Sequence, residues 1–403
     1  MKLIIDTMTK NYAEEILNWQ YEAPYEVYSL SYSEEGLEEF LNGYTAVLDG
    51  DCLIGYYCTG KSAQVPPHNY ERGYLDVGLG MKPELTGNGF GKLFLAFILA
   101  QFGTIPLRLT VAIFNKRAVR LYEDFGFKEK STFKRGDQTF MVMVRKERSH
   151  PDSVIVNTRG QNNDVLIVNN RFIYRFPKSE TGVTALKKET EILKKILPYV
   201  TLKTPRPISN SRFMAYERIA GEPLLVLPDG VEQVAKQLGG FLWELHQIPV
   251  SIFEDQRPEV ALEMKNLYEQ FQEHLYPLMR ADAKIEVSEN FERYLSDPKH
   301  FDFEPCLIHG DFGKGNILSN GKSVTGIIDF GSSRLGDPAY DFAGLYSSYG
   351  EKFLERLSAY YPGLEAVRER MDFYRSTFAL QEALLGVLHS DEEALKAGMA
   401  DYV

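Results

Sequence analysis

Apolar and polar positions alternate through much of the first 145 residues. Segments 44–60 (YTAVLDGDCLIGYYCTG) and 73–82 (GYLDVGLGMK) carry the two-residue period of half-buried strands. The triplet Asp49, Gly50, Asp51 between two such runs predicts a hairpin. At 91–102 and 116–126 the pattern becomes helical. The run 139–144 (TFMVMV) predicts another strand. It is followed by a charged break, 145–153 (RKERSHPDS), that reads as a linker. Beyond it, short strands are expected at 154–157, 165–168 and 171–176, and a helix at 183–197. Amphipathic helical patterns dominate 230–296 and 350–400. Strands and helices mix on both sides of the break, so the expected class is α+β in two domains, 1–148 and 152–403.

Two stretches interrupt this pattern with glycine and polar residues. The first, 85–100 (LTGNGFGKLFLAFILA), places Gly87, Gly89 and Gly91 at alternate positions after a strand, then opens an apolar helix. Without Cβ atoms the backbone can approach a ligand closely. N–H groups at a helix start, with the helix dipole behind them, favour an anion. Thr86, Gly87, Asn88, Gly89, Phe90 and Gly91 are therefore candidates for holding a diphosphate; a glycine-rich turn without a ligand reads the same way. No second parallel strand and no acidic residue at dinucleotide-fold spacing come after it. Instead, 107–127 (LRLTVAIFNKRAVRLYEDFGF) reads as a strand ending at Asn115 and a helix carrying Tyr122.

Residues 75–127 resemble the GNAT N-acetyltransferase family, and the likeness covers roughly 1–147. It implies a mixed central sheet flanked by helices, with the loop 86–91 on the pyrophosphate of acetyl-CoA and the splayed strand 75–82 on its pantetheine arm. It also implies that Asn115 and Tyr122 contact the cofactor, Tyr122 as general acid toward the departing thiolate. A thiol of pKa about 8.5 leaves more readily beside a placed proton donor. Tyr122 equally has the spacing of a packed helix aromatic. Thr86 stands where the family usually has Arg or Gln, which shifts weight onto backbone amides. The segment 18–30 (NWQYEAPYEVYSL), with Glu22 and Glu26, lies where the family shapes its acceptor groove; it also reads as an amphipathic helix and loop.

The second stretch is 306–318 (CLIHGDFGKGNIL), which sets His309, Gly310, Asp311 and Asn316 between two apolar runs. The next apolar run, 326–331 (GIIDFG), presents Asp329. Carboxylates buried beside strands need partners, and a phosphoryl-transfer site supplies them. Asp311 would accept the proton of an acceptor hydroxyl, Asn316 would hold magnesium, and Asp329 would bridge magnesium to nucleotide phosphates. The alternative is a pair of Asp-initiated turns. Together with GDPAYDFAGL (336–345) and FLWELHQI (241–248), these motifs resemble the aminoglycoside phosphotransferase family over about 152–403. That resemblance implies a bilobal protein-kinase-like fold, with a β-rich small lobe over about 152–216 and a helical C-lobe over about 221–403. It implies ATP or GTP with Mg²⁺, a phosphate-binding cation at Arg175 with Glu189 as its helix partner, and Glu217 and Ile219 meeting the nucleobase through their backbone. Arg175 stands in place of a Lys, and Lys178 is an alternative cation. The loop 160–164 is expected over the phosphates, His309 is expected to order its loop, and Asp337 and Asp341 to brace the C-lobe. Glu382 and the cluster 390–393 (SDEE) are anionic candidates for an amino sugar, although a solvated helix end explains Asp391, Glu392 and Glu393 better. Ser332 stands where enzymes of this family acting at the 2″-hydroxyl often carry an acidic residue.

Net charge is −11, with −2 in residues 1–148 and −9 in 149–403. Nucleic acid is therefore not an expected partner, and a cationic acceptor is permitted. No apolar run approaches the ~20 residues of a membrane span. The start, MKLIIDTMTKNYAEE, lacks a secretory pattern, and three cysteines without a CxxC pair suit a reducing cytoplasm. The combined expectation is a bifunctional cytoplasmic enzyme: an acetyl-CoA-dependent N-acetyltransferase joined to a Mg²⁺- and nucleotide-dependent kinase. The substrate would be a small-molecule amine or alcohol, with an aminoglycoside as the specific expectation. Other metabolite or protein acceptors remain open, as does a domain that senses a ligand without turnover.

Overall fold

The computed structural model describes residues 3–148, 150, 152–157, 163–209, 213–253 and 259–403. Positions 149 and 151 of the linker and 160–162 of the expected phosphate loop lie outside them. Packing divides the chain into two units, residues 1–184 with 208–218, and residues 185–207 with 219–403.

The first unit contains β1 (Leu3–Thr7), β2 (Tyr44–Asp49), β3 (Cys52–Thr59), β4 (Leu75–Met81), β5 (Leu107–Ala112), β6 (Lys128–Arg135) and β7 (Gln138–Arg145). They form one sheet in the order β1-β2-β3-β4-β5-β7-β6. Helices α1 (Lys10–Leu17), α2 (Glu34–Gly43), α3 (Gly91–Ala100) and α4 (Lys116–Asp124) connect them. Side-chain caps set the starts of α1, α2 and α4: Thr9, Ser33 and Asn115 accept from Tyr12, Gly36 and Ala118 N–H. The expected hairpin joins β2 to β3, with Asp49 opposite Cys52. β6 is a strand that the pattern did not predict. Its sequence, KEKSTFKR, is charged and largely exposed because it is an edge, held by pairing with β7 alone.

β4 and β5 pair in parallel only at Leu75 with Leu107 and Asp76 with Arg108. That last rung is locked by a buried bidentate pair, Arg108 Nε to Asp76 Oδ1 at 2.5 Å and Nη2 to Oδ2 at 2.8 Å. Beyond it the ladder ends, although β4 runs on to Met81 and β5 to Ala112. The sheet therefore opens into a wedge.

A second sheet in the same unit has β8 (Val154–Asn157), β9 (Asn163–Val168), β10 (Phe172–Pro177), β11 (Ile208–Ser209) and β12 (Met214–Glu217), in the order β11-β12-β10-β9-β8. α3 has no polar face after Lys92, and Leu93, Phe94, Leu95, Ala96, Ile98 and Leu99 are all buried. One core explains this: it runs from Val47 and Val111 through α3 to Leu166, Tyr174 and Phe213 of the second sheet. α5 (Glu180–Ile196) starts three residues before the expected helix and carries the chain into the second unit.

The second unit is mainly helical: α6 (Val231–His246), α7 (Val260–Gln270), α8 (Ala281–Ser296), α9 (Ala339–Tyr349), α10 (Glu351–Leu357), α11 (Arg368–His389) and α12 (Glu392–Met399). Short strands β13 (Glu222–Pro223), β15 (Ile317–Ser319) and β16 (Val324–Ile327) form one small sheet. β14 (Cys306–Ile308) and β17 (Arg334–Gly336) form another. These ladders carry the two polar motifs. The class is α+β, a mixed sheet with helices followed by a β-rich small lobe and a helical C-lobe. Among the described residues no helix is long and apolar enough to cross a membrane.

Candidate active sites

In the second unit, β14 delivers His309, Gly310 and Asp311, and β15 begins just after Asn316. The Asn316 amide donates to the Asp311 carbonyl at 2.9 Å and to its carboxylate at 2.7 Å. The Asn316 carbonyl accepts from Ile328 N–H at 3.0 Å, which sets Asp329 beside it at the end of β16. The three candidate residues are thus brought to one end of the β15–β16 ladder. Asp311 and Asp329 are exposed, which corrects the expectation that they are buried. The buried carboxylates of this region are Asp337, Asp341 and Glu189.

His309 is fully buried and orders the loop. Asp311 N–H donates to its Nδ1 at 3.3 Å, so Nε2 carries the proton that reaches the Ile328 carbonyl at 3.0 Å. The Asp341 carboxylate accepts from His309 N–H at 2.8 Å and Gly310 N–H at 2.9 Å, and meets His246 Nε2 at 3.1 Å. Asp337 accepts from the Arg370 guanidinium and from the Tyr374 hydroxyl. Gly310 has φ +79°, and a Cβ there would collide with the Ser332 carbonyl. Asp329 is held at φ +63°, a left-handed conformation uncommon for non-glycine residues.

Glu189, on α5 and buried, reaches this turn. A Cβ placed on Gly331 would lie 3.4 Å from Asp329 Oδ1 and 3.7 Å from Glu189 Oε2. Half-buried Asn316 and exposed Asp329 offer oxygen ligands, the chemistry of a hard divalent cation. No group of three or more His, Cys, Asp or Glu residues able to hold a metal ion occurs among the described residues. Mg²⁺ here would rest on one amide, one carboxylate and water, with the nucleotide phosphates. Arg175 lies in β10 of the first unit. Glu217 ends β12, and the chain passes between the units immediately after Arg218, so Ile219 opens the other side. Ser332 is exposed, and Asp391 caps α12 through Glu393 and Ala394 N–H, as a solvated helix end does.

In the first unit, β4 leads through a short turn into the glycine loop. Thr86 turns inward: its N–H and its hydroxyl both donate to the Pro83 carbonyl. The Asn88 side chain donates to the Glu84 carbonyl at 2.9 Å. Gly87 and Gly89 take positive φ, and α3 opens at Gly91, where the first N–H groups lack intrahelical partners. The wedge between β4 and β5 and this helix start fit an acetyl thioester with a diphosphate: an extended arm along open strand edges, an anion at a helix N-terminus. Asn115 Oδ1 is engaged in capping α4, while its Nδ2 reaches Tyr28 Oη at 3.3 Å. Tyr122 is buried, and burial with the nearby Tyr28 phenol pushes its pKa well above the usual value, so it holds its proton.

Tyr28 is a site neighbour that residue-level reading did not single out. It packs with Tyr25 against Phe114, ring centroids 6.1 Å away in each case, and Arg117 stacks over Tyr25 at 4.0 Å. The aromatic segment 18–30 thus lies along the loop that carries Asn115. Glu22 and Glu26 are exposed on it.

Comparison with known proteins assigns a family to each part of the chain. Residues 153–374 match the family described as phosphotransferase enzyme family, and residues 11–127 match the acetyltransferase (GNAT) family. Viomycin phosphotransferase of Streptomyces vinaceus is 28% identical over 267 residues, 60% of this chain and 90% of that protein. Among solved structures, the GDP complex of wild-type aminoglycoside 2'-phosphotransferase-IIIa has 27% identity and a TM-score of 0.57, covering 62% of this chain and 90% of that one. The GDP and kanamycin complex of APH(2")-IIia aligns with the same identity and score, over 62% and 91% of the two chains.

Proposed function

The chain belongs to the phosphotransferase enzyme family and joins it to a GNAT acetyltransferase domain; from this premise we propose that it modifies one class of cationic antibiotic twice. It N-acetylates an amine with acetyl-CoA and phosphorylates a hydroxyl with ATP or GTP, and an aminoglycoside is the acceptor. The observation that carries this reading is the convergence of Asp311, Asn316 and Asp329 at the end of one ladder. Its relatives include enzymes named for viomycin and aminoglycosides, and the acidic second part favours a polycationic acceptor.

In phosphate transfer Asp311 takes the proton of the acceptor hydroxyl as that oxygen attacks the γ-phosphorus, and the nucleoside diphosphate leaves. Bound Mg²⁺, held by Asn316 and Asp329, would offset the charge on the phosphates. Glu189 and Arg175 form the cation-orienting pair of this reading, and the backbone of Glu217 and Ile219 receives the base. In acetyl transfer the amine attacks the thioester carbonyl, the C–S bond breaks, Tyr122 gives its proton to the departing thiolate, and the proton shed by the acylated nitrogen passes to solvent and restores the phenol. Gly87, Asn88, Gly89, Phe90 and Gly91 cradle the diphosphate through backbone amides, Thr86 shaping the turn and Asn115 the edge of α4.

The test is transfer of label by the full chain from acetyl-CoA, ATP and GTP to a panel containing kanamycin, viomycin and simple amino alcohols. Label from both donor types on kanamycin is the expected result. Label on the other acceptors alone would overturn the aminoglycoside reading. Replacing Tyr122 with Phe is expected to lower acetyl transfer about 10²-fold, the scale of a lost general acid, and to leave phosphate transfer unchanged. Full acetyl transfer by that variant would remove Tyr122 from the mechanism. Asp329→Asn is expected to raise the Mg²⁺ concentration for half-maximal phosphate transfer by at least about tenfold, roughly 1.4 kcal/mol of cation binding. An unchanged Mg²⁺ titration would rule out Asp329 as a ligand.

A further inference from the structure

The glycine loop of the acetyltransferase is held by a phenol from the small-lobe sheet. Tyr174, in β10, is 1% exposed, and its hydroxyl donates to the Gly89 carbonyl at 3.1 Å. α3 has no capping side chain of its own, since Phe90 occupies the cap position. A tyrosine 85 residues away in sequence therefore anchors the loop just ahead of α3, through the Gly89 carbonyl. Its neighbours close around the same loop. A Cβ on Gly89 would lie 3.4 Å from Ile208 and 3.6 Å from Phe213. The Phe90 and Phe213 rings are 6.1 Å apart, and the Lys92 ammonium sits 3.9 Å over Phe172.

This contact has a chemical consequence. A peptide group is planar and trans, so turning the Gly89 carbonyl toward Tyr174 sends the Phe90 N–H to the opposite side. At φ +82° the Gly89 backbone has wide freedom, and the hydroxyl selects one orientation of the Gly89–Phe90 peptide. Packing alone does not call for a hydroxyl here: a phenylalanine would fill the same apolar space without burying a polar atom.

We propose that Tyr174 is a positioning residue for acetyl transfer, fixing the loop amides in the orientation that receives the diphosphate of the acyl donor. The proposal rests on the reading of 86–91 as the diphosphate cradle. Its site is built from two parts of the chain assigned to different reactions, so the acetyltransferase needs the small-lobe sheet to bind its donor well.

The test compares full-length wild type and Tyr174→Phe with two donors, acetyl-CoA and S-acetylpantetheine, which share the thioester and differ in the diphosphate and nucleotide. For the variant the KM for acetyl-CoA is expected to rise about tenfold, the worth of roughly one hydrogen bond. Its kcat should stay within about twofold, and kcat/KM for S-acetylpantetheine should not change. An unchanged KM for acetyl-CoA, or an equal loss with both donors, overturns the proposal, the second outcome marking a packing residue. A wild type that uses both donors with the same KM would instead overturn the cradle reading itself. Hydrogen exchange on the wild type needs no substitution. CoA, and not pantetheine, should slow exchange in 87–93 and also in 172–177. Protection confined to 87–93 counts against Tyr174, and no protection in 87–93 counts against the cradle.

Discussion

Asp311→Asn is expected to lower the kcat of phosphate transfer by about 10²–10⁴-fold, the range measured for loss of a general base, with acetyl transfer in the same sample unchanged. The side chain is isosteric and exposed, and the remaining oxygen can still accept the Asn316 amide, so the loop keeps its shape. What disappears is the negative charge and the basic oxygen. Asp311→Ala also removes the carboxylate that the Asn316 amide donates to and leaves it the residue 311 backbone carbonyl alone, so it should additionally weaken Mg²⁺ dependence. The two variants separate proton acceptance from scaffolding. The check is steady-state kinetics with a radiolabelled nucleotide, using the acetyl-transfer rate as an internal measure of folded enzyme. Asp311→Asn retaining its rate within about threefold would remove Asp311 from the chemistry, because a lost base costs far more than that.

How legible this was in the sequence depends on how local each signal is. The HGDFGKGN and IIDFG stretches could be read because polar residues and glycines interrupt apolar triplets, and short strands with tight turns are the local answer to that pattern. The inferred burial of Asp311 and Asp329 went the other way. Position next to a strand does not decide which side of it faces solvent, and here the buried carboxylates are Asp337, Asp341 and Glu189. β6 escaped because an exposed edge strand has no apolar face to alternate. α3 carried a signal that was not used: ten residues with no polar face beyond Lys92 require cover on both sides. The cover is the small-lobe sheet, so the break at 145–153 separates sequence families without separating the core. Tyr174 could not be picked out, since it occupies an ordinary position in an alternating strand and its partner is far away in the chain.

The larger effect on stability should come from Asp341. Its carboxylate is fully buried and accepts the backbone N–H groups of His309 and Gly310 while meeting His246. Alanine there leaves two amide donors and an imidazole without that acceptor. Removing one partner of a buried charged network costs about 3–5 kcal/mol, a large share of the ~5–15 kcal/mol that holds a domain together. The thermal midpoint for loss of phosphate transfer is therefore expected to fall by about 10 °C, as about 2–4 °C accompanies each kcal/mol at this size. The effect should depend on pH. Burial alone would raise the Asp341 pKa, but the hydrogen bond and charge of His246, then the imidazole and backbone N–H of His309, outweigh it and hold the pKa below the usual value. A carboxyl depressed by folding stabilises above its unfolded pKa of about 3.9, and that stabilisation is lost as pH falls through the folded value. The gap in midpoint between wild type and Asp341→Ala should stay constant above about pH 5 and narrow below about pH 4. A gap under about 2 °C, or one that does not narrow in acid, would mean that the carboxylate is not what ties His309 and Gly310 to α9. A full gap that narrows in acid would also account for the loop's rigidity. With those two amides anchored behind it, Asp311 can stand exposed at a fixed position, where an acceptor hydroxyl can reach it.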